Sequence, residues 1–363
     1  MPSTGLRLAV ERLVVLAARQ VQLLRSLTPL DARRERARLA EAVRGGRSAS
    51  PRWTYARVDH DELRRALDAA GRSLSAATET PLDAVYLERV RELALEAELC
   101  AAAGTAVLGR LARERFAPRS PAVARRASSL CEAWLAEPVV PARGEAIASD
   151  GADPRSLLSL MRAEVGRLHL PFTVVTQSSL APLAATGDGV ILVAPDRPVT
   201  EEDAARTVLH EIDGHARPRA RAAETALVIF RAGTARGIDD QEGRALWLEE
   251  RAGFLGPRRR RQLAARHRAC EAMTAGAAFD DVVRSLTRDH GLDAFQAVVV
   301  AERAFRGGDG VSPGLGRERV YLEALVRVRE HLAARPEDDA VLAAGQVSVD
   351  AASTLRSAVP PLP

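Results

Sequence analysis

Apolar residues recur every three to four positions through most of the first 136 residues, and YLERVRELALEAELCAAAGTAVLGRLARERF at 86–116 keeps that spacing throughout. A period near 3.6 marks one face of an α-helix, so this region reads as helical. The proline-bearing segment EPVVPARGE at 137–145 then breaks the pattern. Beyond it lie the only convincing strands, PFTVVTQ at 171–177 and GVILVAP at 189–195, both short, β-branched and bounded by turn residues. Helical spacing returns at Thr200 and runs to the end, interrupted by the glycine-rich FRGGDGVSPGLG at 305–316. No internal repeat is visible. The pattern predicts an α+β chain that is mainly α-helical, with a small sheet just upstream of the helix that starts after Thr200. It divides into an N-terminal helical region, 1–140, and a region 141–363 with the sheet and the candidate chemistry, the two expected to pack together.

The helix after Thr200 has clear start signals. Thr200 is a good N-cap with Asp203 three residues on, and Glu201 and Glu202 occupy the first turn, where the helix dipole favours acid. Ala205, Val208, Leu209 and Ile212 form an apolar stripe expected to bury against the sheet, and His210 and Glu211 fall off that stripe.

Those two residues open HEIDGH, within TVLHEIDGHAR at 207–217. In the HExxH zinc helix the histidines are four apart and share a face. Here His210 and His215 are five apart, which on a regular helix separates them by about 140°. One inserted residue, as in a π-bulge, would swing His215 back to about 40° from His210 and restore a chelating pair. The spacing therefore predicts a bulge between Glu211 and His215, with Gly214 expected to supply the unusual backbone geometry. A histidine in a helix is more often a structural or surface residue, so the metal reading depends on a third ligand. The segment IDDQEGRALWLEERAGFL at 238–255 offers Glu242 and Glu249; Glu224 and Glu250 are also near, and position alone does not choose among them.

Composition bounds the setting. A chain of 363 residues with 47% hydrophobic content reads as globular. It contains no lysine: all 52 basic residues are arginine, against 48 acidic ones. The sequence pI of about 9.4 thus reflects arginine usage and is weak evidence for nucleic acid. The run Arg258 to Arg261 reads as a solvated helix face or as a contact for an acidic partner or nucleic acid. Cys100, Cys131 and Cys270 are odd in number and far apart, which points to a reducing compartment, the cytoplasm. LRLAVERLVVLAARQ at 6–20 is broken by Glu11 and Arg12, so it offers no export signal, and no uncharged run is long enough to span a bilayer. GGDG lacks the Lys-Ser or Lys-Thr of a phosphate loop. His267, His290 and His331 have no chelating neighbour in sequence, although His290 remains a candidate oxyanion donor; His60 and His169 read as structural.

HEIDGH followed by IFRAGTARGIDDQEGRALWLEE resembles the QEGLA-motif proteins of the DUF1704 group, relatives of the microtubule-associated tyrosine carboxypeptidases, whose pattern is HExxxH and then (Q/E)EGLA. The resemblance extends to LLRSLTPLDARRER, PRWTY, ELCAAAGTAVLGRLARERF, FRGGDG, VYLEALVRVREHL and the terminal PPLP, in that order. It implies a zincin-like metallopeptidase core in 141–363, zinc held by His210, His215 and Glu242, and Glu211 as catalytic base. Two departures stand out. Asp213-Gly214 replaces the usual Gly-Thr before the second histidine, bringing a carboxylate near the metal that would ligate or orient a histidine, or lie exposed; QEGRA replaces QEGLA. Tyr321 resembles the tyrosine of a late YLxG segment and is a candidate oxyanion donor. The implied activity is removal of a C-terminal residue from a peptide or protein, which requires a cation for the substrate carboxylate. Arg306 of FRGG, followed by two glycines, is the first candidate. GVILVAP is expected to pair with an extended peptide by edge addition, provided it lies at a sheet edge. The alternative is a non-catalytic, metal-stabilised helical protein or an arginine-rich regulator.

Overall fold

The computed structural model describes residues 4–141, 144–178 and 180–359; Ala142 and Arg143 of EPVVPARGE and the terminal PPLP lie outside them. Helices dominate, as the spacing predicts. The first part of the chain builds α1 (Thr4–Gln20), α2 (Leu23–Ser26), α3 (Ala32–Arg44), α4 (Asp61–Ala77), α5 (Pro81–Ala101), α6 (Leu108–Phe116) and α7 (Pro121–Ala136). A mixed region follows, with β1 (Ala146–Ala148), α8 (Leu157–Arg167), β2 (Thr173–Thr176), β3 (Ala184–Thr186), β4 (Val190–Val193) and β5 (Pro198–Thr200). Next come α9 (Glu201–Glu211), a π-helical turn (Ile212–Ala216), α10 (Arg217–Glu224), α11 (Ile229–Ala232) and α12 (Gly237–Arg251). The chain ends with α13 (Pro257–Thr274), α14 (Phe279–Arg288), α15 (Ala294–Ala304), α16 (Val320–Ala334), α17 (Asp339–Leu342) and α18 (Val349–Leu355). Among the described residues no helix is long and apolar enough to cross a membrane.

The chain divides into two compact units, one holding the residues up to Glu137 with 261–323, the other 138–260 with 324–363. In the first unit Phe279, Phe305, Leu286 and Val298 pack with Leu39, and Trp53 stacks edge-on to Phe279 at 5.4 Å. In α5, Thr80 caps the helix by a reciprocal pair of hydrogen bonds with Asp83, and Pro81 opens its first turn.

In the second unit β1 pairs antiparallel with β5, and a separate sheet has the order β2-β4-β3, with β4 parallel to β2 and antiparallel to β3. Strand β4 is therefore central, and the edge-addition role expected of GVILVAP does not hold: both its ladders are already filled. Val174, Ile191 and Val193 of this sheet pack on Leu157 and Met161 of α8 and on Ala204 and Ile212. The apolar stripe foreseen for α9 is only partly right. Ile212 is buried, Val208 is partly so, and Ala204 takes the place expected of Ala205, while Thr207, His210 and Glu211 are buried as well. A helix packed on more than one side buries more than its apolar stripe.

Helix α12 approaches its neighbours at glycines. A Cβ on Gly243 would stand 2.5 Å from the Ala324 carbonyl oxygen and 2.7 Å from its Cβ. One on Gly214 would lie 2.6 Å from Ala245 Cβ. Backbone cannot retreat as a flexible side chain can, so Gly243→Ala is expected to lower stability by about 1–3 kcal/mol or more in urea unfolding. Gly166→Ala, in α8 with nothing within 4 Å, should instead gain about 0.5–1 kcal/mol through the lost freedom of the unfolded chain. Equal responses at the two positions would remove the close-approach explanation.

Candidate metal centre

Helix α9 starts where the sequence places it: the Thr200 hydroxyl accepts the Asp203 amide at 3.2 Å. It runs regularly to Glu211, and there the backbone widens. Ile212 to Ala216 form a π turn, and the Arg217 amide bonds to the Ile212 carbonyl five residues back. The bulge predicted from the five-residue spacing is present. It brings His210 Nε2 and His215 Nε2 to 3.3 Å. Gly214 serves it differently than expected: it is not among the glycines with positive φ, and what it supplies is room for Ala245 of α12.

Each imidazole is held from behind. His210 Nδ1 is 2.7 Å from Glu249 Oε1, and His215 Nδ1 is 2.9 Å from Gln241 Oε1. The Gln241 amide nitrogen points to the Gly345 carbonyl at 3.5 Å, which leaves its oxygen for His215. With acceptors at both Nδ1 positions, both rings donate there, and two Nε2 lone pairs face each other. Only a shared proton or a cation makes that contact favourable. Burial disfavours a charged His210, but its hydrogen bonds to Glu242 and Glu249 outweigh this and push the imidazole up to about 9. Burial likewise opposes charge on Glu249; Arg259 and His210 prevail and hold its carboxyl far below the usual range.

Glu242 completes the group, with Oε2 3.5 Å from His210 Nε2 and 3.7 Å from His215 Nε2. Among the described residues these three form the one set able to offer three ligand atoms to a metal, all within 4.8 Å of one another. Neighbouring ligands of a tetrahedral zinc at about 2.1 Å lie about 3.4 Å apart, close to these separations, and two histidines with a carboxylate are a zinc donor set. Glu211 is buried beside them; its Oε2 accepts the Thr186 hydroxyl of β3 at 2.7 Å.

The other acids are engaged elsewhere. Glu250 pairs with Arg329 at 2.7 Å, and Glu224 is exposed. The Asp213 carboxylate is engaged by Arg217 at 2.7 Å, outside the His210, His215 and Glu242 group, and it lines a cleft with Leu209, Arg221 and Leu248. Three arginines of the 258–261 run are paired within the fold. Arg258 binds Asp203 at 2.6 Å, Arg259 holds Glu249 through two bonds of 2.8 Å, and Arg261 caps the carbonyls of Glu137 and His290.

Arg306 and Tyr321 belong to the first unit. Arg306 is buried there, near Arg303, Glu318, Glu302 and Arg317, and the Tyr321 ring has the Arg266 and Arg317 guanidinium groups each 5.8 Å from its centre. His290 lies in that unit too, where burial and then Arg268 lower its proton affinity. His267 is buried beside Glu271, and His331 pairs with Asp338. Sequence reasoning missed Gln241, Thr186 and Arg219 altogether and weighed Glu249 only as a ligand. Glu249 lies seven residues from Glu242, two turns along one helix face, and Arg219 lies four from His215; nothing local marks Thr186.

The family model described as microtubule-associated tyrosine carboxypeptidase matches residues 42–360. No curated protein matches the chain.

Two outcomes follow from the geometry. A cation must displace the His210 proton, so zinc affinity measured by chelator competition should rise about tenfold per pH unit until pH nears 9 and then level off; a flat profile from pH 6 upwards would show that the imidazole is neutral without metal. Glu242→Ala should leave little zinc after dialysis, whereas Glu249→Ala, which keeps the ligand atoms and loses their support, should weaken binding about 10–100-fold. If Glu249→Ala alone emptied the site, the ligand and support roles would be reversed.

Proposed function

The chain belongs to the microtubule-associated tyrosine carboxypeptidase family, and from that premise we propose that it is a zinc-dependent metallopeptidase that removes a C-terminal residue from a peptide or protein. The observation that carries this reading is the pair of imidazole Nε2 atoms 3.3 Å apart with the Glu242 carboxylate beside them. Three protein ligands, not four, are the donor number of catalytic zinc. Zinc held by His210, His215 and Glu242 would supply Lewis acidity to the scissile carbonyl and to the attacking water.

The chain's own groups do the rest. Glu211 has one carboxylate oxygen fixed by Thr186, and the other takes the proton from water as oxygen attacks the carbonyl carbon. That proton passes to the leaving nitrogen as the C–N bond breaks, and Glu211 returns to its carboxylate form. Strand β3, which carries Thr186, is an edge of its sheet and takes over the peptide-pairing role first given to β4. Tyr321 as hydrogen-bond donor to the oxyanion and Arg306 as substrate contact stay proposals drawn from the sequence. The reading includes a cytoplasmic setting, supported by three buried cysteines without a disulfide.

Glu211→Gln keeps every ligand and removes the base. It should retain zinc and the fold while lowering kcat by about a hundredfold to ten-thousandfold or more, read as C-terminal residue release by mass spectrometry from peptides incubated with the zinc-loaded chain. Undiminished turnover in this variant would exclude Glu211 as base, and zinc retention without turnover in the parent chain would leave a metal-stabilised, non-catalytic protein.

A further inference from the structure

Removal of a terminal residue requires that the enzyme sense the end of a chain, and a free carboxylate is what distinguishes that end. Arg219 follows His215 by four residues, so on a helix it returns to within about 40° of the imidazole's direction. One end of its side chain is fixed: Nη1 donates to Asp188 Oδ1 at 2.6 Å, in the turn between β3 and β4. Asp188 stands two residues beyond Thr186, whose hydroxyl holds the Glu211 carboxylate. The guanidinium is thereby tied to the end of the edge strand that positions the base. Burial lowers its proton affinity, while Asp188, Glu211 and Glu242 oppose that effect, so both carboxylates of the candidate centre lie within its electrostatic reach.

The opposite edge of the group has no such anchor. Nε is buried and, among the described residues, has no hydrogen-bond partner, and the side chain is only 23% exposed. A buried charged donor without an acceptor is unfavourable, and folded proteins keep few of them. The Nε–Nη2 edge presents two parallel N–H groups, the geometry that grips a carboxylate through both oxygens.

We propose that Arg219 is the specificity-determining cation of the site, its Nε–Nη2 edge receiving the C-terminal carboxylate of a peptide extended along β3, with the last peptide bond beside Glu211. The assignment rests on the metallopeptidase reading for the reaction, but not for the binding it describes. An internal peptide segment offers a neutral amide at this position and leaves the buried Nε without an anion, so cleavage is confined to chain ends. Arg219 exchanges no proton in the reaction; it orients substrate.

The test is calorimetric binding of N-acetylated dipeptides, ending either in a free carboxylate or in a carboxamide, to the full chain with and without zinc. The parent chain should bind the acid about 10–100-fold more tightly than the amide. Arg219→Gln should abolish that preference, and Arg219→Lys, which keeps the charge but loses the fork, should retain only a few-fold of it; the lysine variant also covers the case in which the glutamine variant does not fold. Asp188→Asn leaves the free edge in place and should keep the preference. Equal binding of acid and amide by the parent chain would overturn the assignment, as would a preference that survives Arg219→Gln, or one lost in Arg306→Gln and not in Arg219→Gln. An Arg219-dependent preference without peptide hydrolysis would leave this assignment standing and remove the peptidase reading. Hydrolysis with equal kcat/KM for acid and amide would do the reverse.

Discussion

Two imidazole nitrogens 3.3 Å apart, each ring already donating from its other nitrogen, repel unless something positive lies between them. Much of the second unit serves to hold this contact. The π turn rotates His215 towards His210, the glycine contacts let α12 approach closely enough for Glu242 to reach both rings, and the supports behind each ring prevent it from turning away. An ordinary α-helix through Ile212–Ala216 would separate the imidazoles, and the supports on α12 would then have nothing to orient.

Those supports form chains, and each link removes a different failure. Arg259 neutralises Glu249, which is fully buried and would otherwise be an uncompensated charge; Glu249 in turn fixes the His210 tautomer. On the other ring the link is neutral, Gly345 to Gln241 to His215. Burial opposes charge on His210, but Glu242 and Glu249 outweigh it, and the cation-free site resolves the lone-pair conflict by keeping a proton on that ring. Arginine suits the charged chain because its fork bonds both carboxylate oxygens and its positive charge survives burial.

The sequence disclosed the helical class, the small sheet and, through the five-residue histidine spacing, the π turn, because each is written in local periodicity. It misdirected wherever the answer lay in what packs against what. Strand β4 looks the same in sequence whether it is central or at an edge; parallel pairing with β2 and antiparallel pairing with β3 decide it, and both partners are remote from the pattern within the strand. Gly214 was expected to bend the backbone, and its need is set by Ala245 on another helix. The stripe on α9 misses the burial of Thr207, His210 and Glu211 for the same reason: hydrophobic pattern marks apolar contacts, and polar side chains buried by the packing of other elements carry no such mark.

Glu242 and Glu249 illustrate how far composition and spacing reach. Both are glutamates on α12, seven residues and about 20° apart on the helix surface. What separates the proposed ligand from its proposed support is which nitrogen of His210 each one meets, Nε2 for Glu242 and Nδ1 for Glu249. The two contacts are opposite ends of one ring, so the ring bridges one helix face from Glu242 to Glu249, with Arg259 closing the charge at the far end. Exchanging the roles would require the imidazole to flip and the part-buried Arg259 to lose its anion. The assignment is therefore held by charge balance across the whole chain of contacts and not by the position of either glutamate alone.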